Sequence, residues 1–120
     1  MQVQNGAVWQ AQKPLQELLN APWPVKTAYA LARLGRKINN EYGVIDQVRV
    51  KLIKQYGTTD DKGQTSILPA CPEWEQFAAA FNELMAQEVE IPLEKIVLPD
   101  IEISISPNSL ISLEPFIEMA

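Results

Sequence analysis

The segment PVKTAYALARLGRKINNEYGVIDQVRVKLIKQY, residues 24–56, decides the fold of this protein. Its apolar residues recur at intervals of three and four, which is the spacing of one face of an α-helix. This face comprises Leu31, Leu34, Ile38, Tyr42, Ile45, Val48, Leu52 and Tyr56. Pro24 suits the first turn, and Gly57 is expected to close the helix in the left-handed conformation. At 1.5 Å per residue the helix would be about 50 Å long. We expect its heptad-spaced members, Leu31, Ile38, Ile45 and Leu52, to be buried.

Two glycines weaken this prediction. Gly35 and Gly43 each cost about 1 kcal/mol relative to alanine in a helix, and Asn39 and Asn40 lie between them. Either the helix kinks or breaks near residues 39–43, or the glycines allow another element to approach closely. The second alternative is the simpler one, and the sequence leaves both open.

The residues before the long helix predict a shorter helix and a stiff connector. Apolar residues at helical spacing indicate a helix from Ala7 to Leu19. Pro14 is expected to split this helix, because proline removes a backbone donor. Residues 1–6 fit a short strand or an extended arm. In the connector NAPWP, residues 20–24, Trp23 most simply covers the core, whereas an exposed Trp here would anchor a binding partner.

The residues after the long helix predict a hairpin and a second helix. TTDDKGQTSIL, residues 58–68, has the composition of a polar hairpin, with Asp60 and Asp61 as turn formers. The next helix is expected from Pro72 to Gln87. Its apolar face would comprise Trp74, Phe77, Phe81, Leu84 and Met85. Aromatic residues at this spacing are typical of a core.

Beyond Gln87 the apolar period changes to two, which predicts strands over residues 89–98 and 101–105. Ser106 is then expected to cap a short helix that begins at Pro107. These elements together predict a single α+β domain over residues 1–120. It would have a long central helix, two or three shorter helices and a small antiparallel sheet from the C-terminal half.

The composition excludes several classes of active site. The chain has no histidine and one cysteine, which removes histidine-assisted nucleophiles and the usual zinc sites. No glycine-rich phosphate loop is present, and we interpret Cys71 as a small packed residue. Five carboxylates suggest a Mg²⁺ or Ca²⁺ site, although solvated outer faces explain them more simply: Glu88, Glu90, Glu94, Asp100 and Glu102. We therefore expect a protein that is not an enzyme, without catalytic residues, cofactor or metal.

The charges are unevenly distributed along the chain. Residues 1–57 hold eight Lys/Arg and three Asp/Glu, a balance of +5, whereas residues 58–120 hold two Lys/Arg and twelve Asp/Glu, a balance of −10. The basic face of the long helix would bind nucleic acid or an acidic partner, or else face this chain's own acidic half or solvent. The net charge of −5 disfavours nucleic acid. We expect the two halves to attract each other, within a subunit or between subunits.

Several segments resemble a family of small, functionally uncharacterised proteins of tailed phages and prophages. They are PLQELLN (14–20), PVKTAYALARLGRKIN (24–39), KLIKQYG (51–57), FNELMAQEVEIPLEKI (81–96) and SLISLEPFIE (109–118). The resemblance covers most of the chain in order, and its motifs are structural. It implies a phage-encoded protein of the host cytoplasm or the virion. The lack of a signal-peptide pattern and of a long apolar run fits this expectation and predicts no membrane partner.

These observations predict a non-enzymatic phage protein that acts through protein–protein contacts, as a virion component or assembly accessory. The alternative is an acidic inhibitor that binds a host or anti-phage defence protein. The partner would be a second copy, in a homo-oligomer, or another phage or host protein. The rest of the chain is too short to cover the whole long helix, and an uncovered apolar stretch usually marks an interface. We therefore expect Val48, Leu52 and Tyr56 to bind the partner, with Trp23 as a further candidate.

Overall fold

The computed structural model of the protein describes residues 1–69 and 71–119. Four α-helices occur in this part of the chain: α1 Asn5–Leu19, α2 Val25–Tyr56, α3 Trp74–Ala86 and α4 Pro107–Leu113. The strands are short: β1 Gln2–Gln4, β2 Thr58–Thr59, β3 Thr65–Ser66, β4 Glu88–Glu90, β5 Ile96–Leu98 and β6 Ile117–Met119. The α+β class with a long central helix is confirmed.

Helix α2 sets the length of the molecule. It runs unbroken for 32 residues, about 48 Å at 1.5 Å per residue, and the molecule measures 51 × 27 × 21 Å. The proposed break near residues 39–43 is therefore absent. A Cβ on Gly35 would lie 3.1 Å from Leu19 Cδ1, whereas one on Gly43 would meet nothing within 4 Å. Close approach of another helix thus explains Gly35 but not Gly43.

Helix α1 lies at the centre of the core. It contacts α2, α3, α4 and β1, and it buries Val8, Ala11, Leu15 and Leu18. The prediction that Pro14 splits this helix is wrong, because α1 is continuous through the proline. A proline inside a helix costs about 3 kcal/mol, whereas burying one large apolar side chain contributes about 1.5–3 kcal/mol. The buried face of α1 is therefore sufficient to offset the cost.

The strands form three separate two-stranded sheets within the described residues. β1 pairs antiparallel with β4, β2 antiparallel with β3, and β5 parallel with β6. Two of these pairings are antiparallel, as expected, but β4 takes its partner from the N-terminal end of the chain. The strand predicted over residues 89–98 is interrupted, because residues 91–95 between β4 and β5 are not a strand. The strand predicted over residues 101–105 is wrong, since this segment has no regular structure. Its backbone turns after β5, where the Ile101 N–H donates to the Pro99 carbonyl at 2.9 Å.

The hairpin and the end of α2 form from local interactions. Asp60 Oδ1 accepts hydrogen bonds from the backbone N–H groups of Lys62 and Gln64, both at 2.9 Å, which confirms Asp60 as a turn former. Gly57 has a φ of −87°, so the expected left-handed cap is wrong. Glycine is required there for space instead, because a Cβ would lie 2.5 Å from the carbonyl oxygens of Ile53 and Ser66.

Hydrogen bonds to Glu17 join α4 to α1. Ser106 caps α4 as predicted, accepting from the Ser109 N–H at 3.3 Å. Glu17 accepts from the Ser109 hydroxyl at 2.5 Å and from the Ser106 N–H at 3.0 Å. These bonds favour the charged carboxylate and lower the pKa of Glu17, the Ser109 bond having the larger effect. The cap of α4 is thereby connected to the surface of α1.

Candidate protein-interaction surfaces

The tip of the molecule, defined as residues 48–56 of α2, holds three of the predicted partner-binding residues. Val48 is 37% exposed, and Leu52 and Tyr56 are half-buried. Of the heptad-spaced residues, Leu31, Ile38 and Ile45 are buried as expected, but Leu52 is only partly covered. The apolar side chains at the tip are therefore partly covered by packing, and part of each remains exposed.

Helix α3 covers part of α2 with a chain of aromatic rings. Phe77 and Phe81 lie 6.0 Å apart between centroids, and Phe81 meets Trp9 edge-on at 6.3 Å. Trp9 stacks on Tyr42 of α2 at 4.6 Å. Such pairs contribute about 0.5–1.5 kcal/mol beyond area burial. The aromatic face of α3, predicted to be core, thus reaches α1 and, through Trp9, Tyr42 of α2. Phe77 is buried and the other members of this face are half-buried.

Arg49 belongs to this inner packing and not to the free basic face. Its guanidinium carbon lies 5.7 Å from the Trp9 ring centroid. The same group pairs with Asp46, with Arg49 Nη2 at 2.8 Å and Nε at 2.9 Å from Oδ1. One cation of the long helix is therefore engaged within the subunit.

Trp23, the fourth predicted partner-binding residue, packs against the core and is half-buried. Its indole Nε1 donates to the Leu18 carbonyl at 2.8 Å, as the covering role requires. The ring also borders an open depression of about 510 Å³ between α1 and α2. The structure thus places Trp23 far along α2 from the tip residues.

The opposite end of the molecule carries more exposed apolar side chains. Val25 is 87% exposed and Tyr29, one turn later on the same face, is 67% exposed. Tyr29 borders a depression of about 510 Å³ between α2 and the loop after β4, and its other walls include Arg33, Arg36, Lys37, Pro92 and Leu93. Cations and an aromatic ring thus share one surface.

This surface continues across β5 to β6 and α4. Lys26 of α2 and Val97 of β5 border one small depression, which also includes Lys95. Lys95 in turn borders a depression of about 560 Å³ with Ile111, Glu114, Glu118 and Met119. We call the whole the base surface; it comprises the outer face of residues 25–37, residues 92–97 and residues 110–119.

Sequence reasoning missed the base surface. The apolar spacing used to predict α2 marks only its buried face, whereas Val25 and Tyr29 stand four residues apart on the opposite side. That spacing was the available signal. The contributions of Val97 and Met119 had no comparable signal, because they depend on the parallel pairing of β5 with β6.

Within the described residues, one ion pair joins the basic half of the chain to the acidic half. Over residues 1–69 and 71–119 two ion pairs form, the Met1 amino group with Glu90 at 3.3 Å and Arg49 with Asp46 at 2.8 Å. All twelve carboxylates of residues 58–120 are exposed. Within the described chain, the cations of the base surface therefore form no ion pair.

The acidic residues of the C-terminal half show no convergence on a common point. In the described residues no group of three metal-ligating side chains lies together, and Glu88 and Glu90 lie on the solvated face of β4. No helix there is long and apolar enough to cross a bilayer. No protein-family model, curated protein or solved structure matches this chain.

Proposed function

We propose that this is a non-enzymatic protein of tailed phages that acts through protein–protein contacts, as a virion component or assembly accessory. The observation that carries the proposal is the base surface, where exposed Tyr29 adjoins cations that form no ion pair within the described residues, and exposed Val25 lies one turn before it. Large apolar side chains grouped on a surface usually mark a binding site. The resemblance of the sequence supplies the phage context and the location, the host cytoplasm or the virion.

Two surfaces are available for such contacts. The base surface combines apolar side chains with charge, which gives both affinity and orientation. The tip offers a smaller number of apolar side chains at Val48, Leu52 and Tyr56, while half-buried Trp23 borders its own depression. We assign the principal contact to the base surface and a secondary contact to the tip.

Cross-linking of purified particles and of assembly intermediates, followed by mass spectrometry, tests this function. We expect the protein in a constant ratio to the other components, with cross-links through Lys26, Lys37 and Lys95. Lys13 and Lys62, exposed residues outside both surfaces, serve as internal controls and should react less with neighbours. Absence of the protein from particles and intermediates alike would contradict the role in the virion or its assembly.

The second candidate is an acidic inhibitor of a host or anti-phage defence protein. It is favoured by the exposure of all twelve carboxylates in residues 58–120, which could imitate the phosphates of a nucleic acid. Tagged protein should then recover one host protein from infected cells. Replacing Glu75 and Glu83 of α3 with glutamine should weaken that recovery, whereas Lys51→Gln should not. If the variant with glutamine at positions 75 and 83 recovers as much host protein as the wild type does, imitation of phosphates is contradicted.

A further inference from the structure

Two depressions of the base surface follow each other along α2. The first lies between residues 29–37 of this helix and the loop after β4. The second lies between residues 26–30 of the helix and residues 95–97. Five cations line the two depressions: Lys26, Arg33, Arg36, Lys37 and Lys95. All five are exposed, and we call the two depressions together the cationic groove.

The positive charge of the cationic groove is not compensated by the chain itself. Among the described residues no carboxylate lines either depression, and the neighbouring acids Glu41 and Glu94 border neither. Glu114 and Glu118 border a different depression, which they share with Lys95. None of the five cations forms an ion pair in the part of the chain that the structure describes. Cations grouped in this way create a positive potential that attracts an anionic partner.

Apolar side chains accompany the cations of the groove. Tyr29 and Val97 are exposed, and each borders one of the two depressions. Pro92 and Leu93 add to the apolar lining of the first depression, and exposed Val25 lies one turn before Tyr29. A protein partner offers apolar side chains to such a surface, whereas the phosphate backbone of a nucleic acid offers none. The lining therefore favours a protein that carries negative charge.

We propose that the cationic groove binds an acidic segment of another protein. Carboxylates of that segment pair with the cations, and its apolar side chains contact Tyr29 and Val97. Arginine suits this role because its guanidinium can bind a carboxylate through two hydrogen bonds. Residues 26–37 span about 16 Å, which roughly five extended residues would cover. This inference rests on the proposed function, because it names the chemistry of the partner in that protein contact.

The groove itself, and not the net charge, selects this partner. The net charge of −5 repels every acidic partner alike, and at physiological ionic strength such repulsion is screened beyond about 8 Å. A second copy of this chain offers no matching cluster. Among the described residues, no three carboxylates lie close enough together to hold one ion. The acidic segment is therefore assigned to a different protein.

A synthetic peptide of alternating glutamate and leucine residues provides the first probe. One variant carries Arg33→Gln and Lys37→Gln, which removes two cations of the groove. Lys51→Gln with Lys54→Gln makes the same change in charge at exposed positions of α2 near the tip, so it is the matched control. We expect the first variant to bind the peptide about 10-fold more weakly than the wild type, as the loss of two exposed ion pairs predicts. The control should bind like the wild type, and circular dichroism checks that both are folded.

Two further probes separate the class of partner from its charge. A peptide with serine in place of leucine keeps the carboxylates and should bind more weakly than the leucine peptide. Tyr29→Ser should weaken binding of the leucine peptide more than binding of the serine peptide, because it removes an apolar contact. A single-stranded oligonucleotide of equal charge should bind more weakly than the leucine peptide. Molar sodium chloride should weaken the binding of every probe by screening.

Carbodiimide coupling in purified particles and assembly intermediates tests the groove in its natural setting. The reagent joins an ammonium group to a carboxylate only where the two are in contact. We expect Lys26, Lys37 and Lys95 to couple to carboxylates of one acidic segment in another protein. Lys13, exposed outside the groove, should not couple to that segment.

Several results would overturn the acidic partner. They are a leucine peptide that does not bind, an equal loss of binding in the two double variants, tighter binding of the oligonucleotide, or a wild-type protein that self-associates through the groove. If the protein is present in particles but its groove lysines couple to no carboxylate of another protein, the acidic partner is contradicted and the proposed function stands. If the groove binds the peptide as expected but the protein is absent from particles and intermediates, the groove is supported and the virion role is contradicted.

Discussion

The inner face of α2 is buried to different degrees at its two ends. Toward the base, Leu31, Leu34 and Ile38 have no exposed surface, because α1 runs alongside them. Toward the tip, Leu52 and Tyr56 are half-buried. The same apolar spacing therefore gives different burial, because burial depends on which other elements pack against each turn of the helix. On the outer face the order reverses, and the more exposed apolar side chains lie at the base.

The largest effect expected is the loss of a side chain where the inner face is fully buried. Ile45→Ala should lower the free energy of unfolding by about 2–5 kcal/mol, as large-to-small core changes do. Leu52→Ala, one heptad later, should cost less than about 2 kcal/mol, because a half-buried side chain loses only part of its transfer free energy. Denaturant unfolding measures both. Equal losses would show that burial does not decline toward the tip.

The two glycines of α2 allow a second comparison, between a position packed against α1 and a position with free space around it. Gly35→Val should destabilise the protein by about 1–3 kcal/mol, because the added atoms meet Leu19 of α1. Gly43→Ala should stabilise it by about 0.5–1 kcal/mol, since nothing lies within 4 Å and alanine is the better helix former. Thermal unfolding of the pair is the measurement. A stabilising Gly35→Val would mean that α1 and α2 are further apart.

A smaller effect is expected at Arg49 of α2, which lies over Trp9 of α1. Arg49→Gln removes the cation over Trp9 and the pair with Asp46, which should cost about 0.5–1 kcal/mol at this partly exposed site. Lys51→Gln is the matched control and should change stability by less than about 0.5 kcal/mol. Unfolding curves at low and high salt would measure the difference in stability between the Arg49 and Lys51 variants. Indistinguishable variants would show that the contact with Trp9 contributes nothing.

The smallest expected effect is the pH dependence of stability that Glu17 contributes, near the end of α1 that lies toward the base. The hydrogen bonds from Ser109 and Ser106 lower the pKa of Glu17 below its usual 4.5. A group with a lowered folded pKa contributes stability above its unfolded pKa and loses it as the pH falls through the folded pKa. Glu17→Gln should therefore reduce stability at neutral pH, and its difference from wild type should shrink below pH 4.5. Melting temperatures across this range test the trend, with Glu83→Gln as control. A constant difference at all pH values would contradict it.

The helices and the hairpin could be predicted because their signals are local. The spacing of Leu31, Ile38 and Ile45 indicates the buried face of α2, Ser106 and Pro107 indicate the start of α4, and Asp60 indicates the turn of the hairpin. Each signal depends on residues a few positions apart. Of the candidate site, only the tip and Trp23 could be identified in this way.

By itself the sequence determined the α+β class, the extent of α2 and the uneven distribution of charge. The tertiary structure decided the rest: that α1 continues through Pro14, that β4 pairs with β1, that residues 101–105 form no strand, and that apolar side chains collect at the base. These outcomes depend on contacts between residues far apart in the chain. Local preferences of about 1–3 kcal/mol yield wherever such contacts bury several large apolar side chains at about 1.5–3 kcal/mol each.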